Sequence, residues 1–367
     1  MSVGTRPDVS VVSSGHDVAD ARLHREVSSA LAAGLRVEVL GLGEAAGGPP
    51  GAEVRTRSRP RGIPRRLALA LVQPWRARGR VLLTLDPDVV PAALAAARLR
   101  HRSVVVDVHE DYLALLRDRP WARGIAGRLA DVGVRGVLAV ARRADLVVVA
   151  DDHVPPVTAR ERLVLRNEPS PGYLPEPSAP DPRPRAIYIG DVRASRGLWT
   201  MLRALEGAPG WTLDVVGPVA TGDLAALQRW CATSPAADRV RLHGRRPPAQ
   251  SWQLARGAWV GLSLLEDTPA FREAVPSKLY EYLAAGLAVA TTPLPRAAQI
   301  VTGSGAGVVV PDAATLSATL RDWAAQPSAL APLRAAALEW AGQAFAGASG
   351  YDELAQRLRG LATRRIE

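Results

Sequence analysis

Hydrophobic positions along the chain follow two alternating spacings. Short runs of β-branched residues are separated by longer segments rich in Ala, Leu and Arg, in which apolar residues recur at helical spacing. This alternation is typical of βαβ units, in which helices connect parallel strands. In the first half we predict strands at Val9–Ser13, Val37–Gly41, Val81–Leu85, Val104–Asp107, Leu146–Ala150 and Leu163–Arg166. We predict helices at Asp20–Ala33, Pro64–Trp75, Asp88–Arg100 and Gly124–Ala141.

A proline-rich stretch from Pro169 to Pro184 interrupts this pattern. Prolines lack the backbone donor that helices and central strands need, so the stretch is the best candidate for a linker. The alternation then resumes, and beyond Ala313 the pattern is helical only, through Leu338–Phe345 and Tyr351–Leu361. The second series of predicted strands is Ala186–Ile189, Thr212–Val216, Val240–Leu242, Val260–Leu264, Ala288–Thr291 and Gly307–Val310.

The predicted fold class is α/β, with two doubly wound Rossmann-like domains facing a central cleft. A length of 367 residues suits two domains of ordinary size. Sheets of this kind bind ligands beyond the carboxyl ends of their strands. We expect a first Rossmann-like domain at 1–168, a Pro-rich linker at 169–185, a second Rossmann-like domain at 186–345, and a C-terminal helix at 346–367 that packs back on the domain pair.

The amino-acid composition excludes several classes of protein. A hydrophobic fraction of 47%, a charged fraction of 22% and the lack of a long apolar run or secretory signal predict a cytoplasmic protein. Cys231 is the only cysteine, which excludes an intrachain disulfide. The net charge of +10 suits nucleic acid, anionic lipid or a phosphorylated ligand, although a codon bias toward arginine also explains it. Basic and aromatic residues are not interleaved, so we expect no nucleic-acid partner.

The segment from Glu273 to Gly286 carries the clearest chemistry. Pro276 suits the first position of a helix and Gly286 its C-terminal cap, which predicts a short helix between them. Lys278, the sole lysine of the chain, then lies in the first turn, where the helix dipole disfavours a cation unless an anion is bound. Glu281 lies one turn further on, where its carboxylate could accept hydrogen bonds from ribose hydroxyls. The alternative is a simple surface pair of Lys278 with Glu281.

The Pro-x-Lys-x-x-Glu-Tyr-x-x-x-Gly-x-x-Val run, with two glutamates seven residues apart, resembles the donor-binding motif of retaining glycosyltransferase family 4. These are the group 1 glycosyltransferases with the GT-B fold. The segment from Ile187 to Leu198 is also similar to theirs, with a basic residue before a second glycine, although Asp191 stands where many members have arginine. The alternative interpretation of this segment is a surface turn with solvated arginines. The resemblance implies that these residues bind the donor: Gly190, Arg193, Arg196, Gly217, Gly244, Lys278 and Glu281.

The first domain places polar residues beyond two of its predicted strands. His109, Glu110 and Asp111 follow one strand, and the resemblance implies that His109 reaches the donor sugar. A structural cluster at the entry of a helix is the alternative. Beyond the first strand, Ser14, Gly15 and His16 resemble the family's acceptor-side loop, to which we also assign Glu110 and Asp111.

The segment from Arg61 to Arg80 combines arginines with apolar residues at helical spacing. This pattern suits peripheral contact with an anionic membrane at the inner face of the cell membrane, or a helix packed on the sheet with a solvated edge. The six histidines show no metal-binding spacing, and neither a Walker loop nor a GxGxxG fingerprint follows the first strand. We therefore expect no metal and no cofactor, only a nucleotide diphosphate sugar as co-substrate.

The predicted function is transfer of a sugar from a nucleotide diphosphate sugar to a sugar, glycolipid or small-molecule acceptor. The resemblance implies retention of anomeric configuration, with His109 and Glu273 as the catalytic residues, Glu273 holding the donor sugar. Lys278 and Arg196 would neutralise the departing diphosphate. Two alternatives are a nucleotide-sugar epimerase of GT-B fold and a catalytically silent, glycosyltransferase-like partner subunit.

Overall fold

The structure is a computed structural model that describes residues 6–117, 122, 124–169 and 173–364. The chain divides into two compact units. The N-terminal unit comprises Met1–Asn167 and Ala348–Glu367, and the C-terminal unit comprises Glu168–Gly347. No helix within the described residues is long and apolar enough to span a bilayer.

The N-terminal unit is built on one parallel sheet. Its strands are β1 (Val9–Asp17), β2 (Val37–Leu42), β3 (Glu53–Arg57), β4 (Val81–Thr84), β5 (Ser103–Val108), β6 (Leu146–Val149) and β7 (Arg162–Val164). Its first helices are α1 (Ala21–Ala32), α2 (Ile63–Arg76), α3 (Val90–Arg100), α4 (Tyr112–Arg117) and α5 (Gly124–Ala141). The strand order β3-β2-β1-β4-β5-β6-β7 is that of a doubly wound sheet, so the carboxyl ends of β1 and β4 lie side by side.

Two features of this unit differ from the sequence prediction. Strand β3 has no counterpart in it, because the Glu53–Arg57 edge strand is polar and only partly buried. Ser14, Gly15 and His16, expected in a loop, belong to β1, which continues past a register shift to pair Asp17 with Leu42 of β2. These three residues are therefore held by the sheet.

The C-terminal unit repeats the architecture with a six-stranded parallel sheet in the order β10-β9-β8-β11-β12-β13. Its strands are β8 (Arg185–Ile189), β9 (Thr212–Val216), β10 (Val240–Gly244), β11 (Val260–Ser263), β12 (Ala288–Thr291) and β13 (Gly307–Val309). Its helices are α6 (Leu198–Glu206), α7 (Thr221–Thr233), α8 (Pro248–Gln253), α9 (Ser277–Ala284), α10 (Pro295–Ser304), α11 (Ala313–Ala325) and α12 (Leu330–Ala344). Both faces of the sheet are covered by apolar side chains, as a parallel sheet requires.

The segment expected to be a linker packs against the C-terminal unit. Tyr173 is buried in one of the hydrophobic clusters of this unit. The backbone carbonyl of Asp181 accepts a hydrogen bond of 2.7 Å from Trp259, and the Ser178 hydroxyl accepts one of 2.9 Å from the backbone N–H of Gly257. These bonds hold a proline-rich backbone that cannot form a ladder of its own.

The last helix, α13 (Gly350–Thr363), returns to the N-terminal unit, where it contacts α1. A capping box between Ser349 and Asp352 starts it. Apolar residues on one side of α13, including Tyr351, Leu354 and Leu358, complete a hydrophobic cluster with α1 and the sheet.

Candidate functional site

Three glycines line the carboxyl ends of adjacent strands in the C-terminal unit. Gly190, Gly217 and Gly244 follow or end β8, β9 and β10, and all three have positive φ angles. At Gly217 a Cβ atom would lie 1.9 Å from the carbonyl oxygen of Gly190, and at Gly190 a Cβ would lie 3.0 Å from Lys278 Nζ. Both positions therefore need glycine, which leaves the backbone open to close approach by a ligand.

The Lys278 ammonium is buried in this region without a hydrogen-bond partner among the described residues. Its side chain lies on α9, is 5% exposed, and places Nζ 3.5 Å from the ring centroid of Tyr188. Burial lowers the pKa of Lys278 well below its usual value, the nearby Arg196 lowers it further, and Asp191 and Glu281 offset part of this effect. A surface pair with Glu281, the alternative interpretation, does not describe this environment. The site favours an added anion.

Arg196 ends a short 3-10 turn, Ala194–Arg196, that precedes α6. Its guanidinium lies 5.7 Å from the ring centroid of Phe271, and its buried Nε has no hydrogen-bond partner in the described part of the chain. Arg193 instead pairs with Asp191 at 2.8 Å, and Arg245 lies 3.7 Å from the same carboxylate. Asp191 thus pairs with Arg193, while the charge of Arg196 acts on Lys278 and lowers its pKa.

Helix α9 positions the second charged residue of the motif. Pro276, expected at the first helical position, is the residue before it and acts as the N-cap, while Gly286 follows the helix with a φ of +68°. Glu281 is buried one turn beyond Lys278, and its Oε1 accepts a hydrogen bond of 2.6 Å from the hydroxyl of Tyr173. The carboxylate is held in one orientation beside the buried ammonium.

Glu273 lies apart from this buried group, in the turn that precedes α9. Its side chain is exposed, and its backbone carbonyl accepts a hydrogen bond of 2.7 Å from Arg296. Glu273 is therefore a solvent-exposed side chain outside the buried group.

A cavity of about 380 Å³ opens at the carboxyl ends of β1, β4 and β5 in the N-terminal unit. It combines charged residues with apolar residues of α4 and α5. It is lined by Gly15, His16, Arg66, Asp86, Pro87, His109, Glu110, Tyr112, Leu115, Leu116 and Val134.

Asp86 organises one side of this cavity. This buried carboxylate accepts hydrogen bonds from the Ser13 hydroxyl at 2.5 Å and the Ser14 backbone at 2.9 Å. It also lies 3.1 Å from Nδ1 of His16 and 3.1 Å from Nη2 of Arg66. Burial alone would lower the pKa of His16, but the Asp86 carboxylate outweighs it and raises the pKa to about 9. His16 is therefore protonated at neutral pH.

His109 is held in a parallel way by Asp107. Its Nδ1 lies 3.1 Å from Asp107 Oδ2, and Arg22 binds the same buried carboxylate through two hydrogen bonds of 2.7 Å. Burial opposes the charge on Asp107, but Arg22 and His109 keep its pKa below its usual range. The rings of His109 and His16 meet edge to face with centroids 4.9 Å apart. The structure thus brings both predicted histidines together, each with its Nδ1 3.1 Å from a buried aspartate.

The remaining acceptor-side residues divide between the cavity and the fold. Glu110 lines the cavity, and the Ser14 hydroxyl donates a hydrogen bond of 2.8 Å to Asp88. Asp111 caps α4, because its Oδ1 accepts from the backbone N–H groups of Leu113 and Ala114 at 3.0 Å each. Asp111 therefore fits the alternative interpretation, in which the cluster is structural and lies at the entry of a helix.

Sequence reasoning missed Asp86, Arg22 and Tyr173. A signal existed for Asp86, which comes directly after a buried strand, as the polar cluster with His109 does. For Arg22 and Tyr173 the sequence offers no signal, because their partners Asp107 and Glu281 are 85 and 108 residues away.

Comparisons with known proteins agree with this geometry. Residues 174–340 match the family model described as glycosyl transferases group 1. No curated protein sequence shows significant similarity to the chain.

Solved structures resemble the chain over nearly its whole length. Sucrose-phosphate synthase from Thermosynechococcus elongatus has 17% identity and a TM-score of 0.66, covering 97% of this chain and 98% of that one. Anabaena Alr3699/HepE, solved with UDP and glucose, has 14% identity and a TM-score of 0.67, with coverage of 98% and 100%. WaaG, a glycosyltransferase involved in lipopolysaccharide biosynthesis, has 17% identity and a TM-score of 0.64, with coverage of 97% and 100%. The chain therefore has the GT-B fold of two Rossmann-like domains, and its residues 174–340 are similar to the group 1 glycosyl transferases.

Proposed function

We propose that the protein transfers a sugar from a nucleotide diphosphate sugar to an acceptor hydroxyl, with retention of anomeric configuration. The observation that carries this proposal is the ammonium of Lys278 at the start of α9, which is buried without a hydrogen-bond partner among the residues that the structure describes. It lies beside Gly190, a glycine with a positive φ angle. A buried cation without a partner costs free energy unless a ligand supplies the opposite charge. A diphosphate fits, since helix N-terminal N–H groups and glycine backbones both favour phosphate oxygens.

The chemistry of such a transfer develops negative charge on the departing diphosphate. Lys278 and Arg196 would both stabilise that charge. Glu281, oriented by Tyr173, would bind the ribose hydroxyls of the nucleotide. Because two cationic side chains supply the positive charge, we expect transfer without a metal ion, and activity that survives chelation by EDTA.

His109 and the cavity of the N-terminal unit complete the proposal on the acceptor side. With Nδ1 fixed by Asp107, the His109 ring presents Nε2 to a bound sugar hydroxyl. Glu273 would reach the donor sugar from its exposed turn. We assign no protein nucleophile.

The nucleotide and sugar are open to test. Alr3699/HepE has been solved with UDP-glucose, which makes UDP the first candidate nucleotide for this chain. As a separate point, we also propose peripheral contact of residues 61–80 with an anionic membrane on the cytoplasmic side.

Thermal unfolding with a panel of nucleoside diphosphates tests the donor site. Ligand at about 100 times its dissociation constant should raise the free energy of unfolding by about 2.7 kcal/mol. We expect one base to give this shift in the wild type, and Lys278→Met and Glu281→Gln to abolish it. Arg229→Ala, on the exposed face of α7, is the matched control and should keep it.

Absence of a shift with every nucleotide, in a protein that unfolds cooperatively, would contradict the proposal and favour a silent partner subunit. A shift followed by conversion of the nucleotide sugar without an acceptor would favour an epimerase. Sugar transfer to an added acceptor separates the proposed reaction from both.

A further inference from the structure

Helices α2, α3 and α5 form one outer face of the N-terminal unit. Helix α3 contacts both α2 and α5, and the three cover the same side of the sheet through a shared hydrophobic cluster. Helices α1 and α13 belong to the cluster on the other side. We call the surface of α2, α3 and α5 the three-helix face.

This face exposes most of the large apolar side chains that are accessible in the described chain. Of 13 exposed large hydrophobic residues, nine belong to these helices. On α5, Ile125, Leu129 and Val132 are 77%, 69% and 67% exposed and lie on one side of the helix. Leu99 of α3 is 71% exposed. On α2 the exposed apolar residues are Ile63, Leu67, Leu71, Val72 and Trp75. An apolar surface of this kind is typical of an interaction site.

The charge on the face is strongly one-sided. The three helices carry seven arginines and a single carboxylate. That carboxylate, Asp131, pairs with Arg135 at 2.6 Å on the same helix. Apolar side chains surrounded by arginines match an anionic lipid bilayer, which takes up the apolar groups and attracts the charges. A second copy of the same face fits poorly, because it would place like charges against each other.

Two of these helices, α2 and α5, contribute to the lining of the cavity in the N-terminal unit. Arg66 of α2 and Val134 of α5 line it, together with Leu115 and Leu116 of α4. An amphiphile in the bilayer could therefore place its polar head beside the two histidines and leave its apolar part among these residues.

We propose that the three-helix face docks on an anionic lipid bilayer and that the acceptor is a membrane amphiphile whose hydroxyl-bearing head enters the cavity. The identity of the acceptor rests on the proposed function. Docking itself does not, because it involves neither donor nor transfer.

Sedimentation of the purified full-length protein with lipid vesicles tests the docking. We expect binding to vesicles of phosphatidylglycerol and phosphatidylcholine, and at least tenfold weaker binding to phosphatidylcholine alone. Ile125→Glu with Leu129→Glu should reduce binding at least tenfold. Val157→Glu is the matched control, since Val157 is 63% exposed in the same unit but outside the three helices, and it should change binding less than twofold.

The electrostatic contribution is tested by Arg65→Gln and Arg128→Gln, which should each weaken vesicle binding about fivefold. Lack of binding to anionic vesicles, or equal loss in the Val157→Glu control, would overturn the docking. A wild-type dimer that Leu129→Glu converts to a monomer, with no vesicle binding, would identify a self-interface instead.

The same variants separate this inference from the proposed function. Ile125→Glu with Leu129→Glu should keep the thermal shift with nucleoside diphosphate, which reports the donor site alone. Vesicle binding by a protein that binds no nucleotide would support docking and contradict the transferase. Transfer to an amphiphile in vesicles that is no faster than transfer to its water-soluble head group would overturn the acceptor assignment.

Discussion

At the scale of single residues, the two candidate sites use opposite electrostatic arrangements. In the N-terminal cavity, His16 and His109 each lie 3.1 Å from a buried aspartate. In the C-terminal unit, the Lys278 ammonium is buried without a hydrogen-bond partner in the described part of the chain. A paired charge fixes a side chain, whereas an unpaired buried charge calls for a ligand.

Lys278→Met tests the second arrangement. Because the pKa of Lys278 is lower in the folded chain than in the unfolded chain, protonation of the amine opposes folding. The cation–π contact with Tyr188 offsets only about 0.5–2 kcal/mol of the burial cost. We expect the variant to gain about 1 kcal/mol in the free energy of unfolding, measured in urea, while losing its nucleotide response. A clear loss of stability would mean that Lys278 supports the fold.

His16 gives a prediction about pH. Its pKa rises from 6.5 to about 9 in the folded protein, so the charged ring stabilises the folded state. This contribution is complete below pH 6.5 and is lost as the pH rises through 9, with an upper limit of about 3 kcal/mol. Between these pH values the wild type should lose stability relative to His16→Gln. Parallel pH profiles of the two proteins in urea unfolding would contradict the pairing with Asp86.

The sequence predicts those parts of the sites that depend on residues close together in the chain. The position of Lys278 in the first turn of a helix followed from Pro276 and Gly286, which are local signals. The ring of Tyr188 beneath its ammonium did not, because that contact joins residues 90 positions apart. Pairings across a sheet depend on strand order, and a single sequence does not give strand order.

At the scale of elements, α9 is held by a segment that the composition predicts to be a linker. Tyr173 packs in the core of the C-terminal unit and donates its hydroxyl to Glu281. The strands of both sheets were predicted well where they are apolar. The polar edge strand β3 was not, because exposed edge strands carry little hydrophobic pattern.

Tyr173→Phe tests the support of α9. The ring should stay buried, while Glu281 loses a hydrogen bond of 2.6 Å. A hydrogen bond to a charged group is worth about 1.5–3 kcal/mol, so we expect nucleoside diphosphate affinity to fall at least tenfold. Calorimetric titration measures this change. Tyr280→Phe, on the same helix, is the control and should bind as the wild type does. Unchanged affinity in Tyr173→Phe would remove Tyr173 from the site.

At the scale of the whole molecule, the two points at which the chain leaves and re-enters the N-terminal unit both contact one group of buried residues. The chain leaves this unit after Asn167 and returns at Ala348. Arg22, which binds Asp107, also donates a hydrogen bond of 3.0 Å to Asn167. Arg25 lies over the ring of Tyr351 at 5.6 Å, at the start of α13. Arg22, which binds the carboxylate that orients His109, therefore also contacts the residue at which the chain leaves this unit.

The returning helix should accordingly determine the stability of the N-terminal unit alone. Helix α13 contributes Tyr351, Leu354, Leu358 and Leu361 to the core of that unit. Leu358→Ala should lower its free energy of unfolding by about 2–5 kcal/mol. Hydrogen exchange would show this as faster exchange in β1 and β4 with unchanged protection in β8 and β11. Leu338→Ala, at a 39% exposed position on α12, should leave both sheets protected. Equal loss of protection in the two sheets would mean that the two units unfold in one cooperative transition. The cavity left by Leu358→Ala would then lower the protection of the second sheet as well, although α13 does not pack against it.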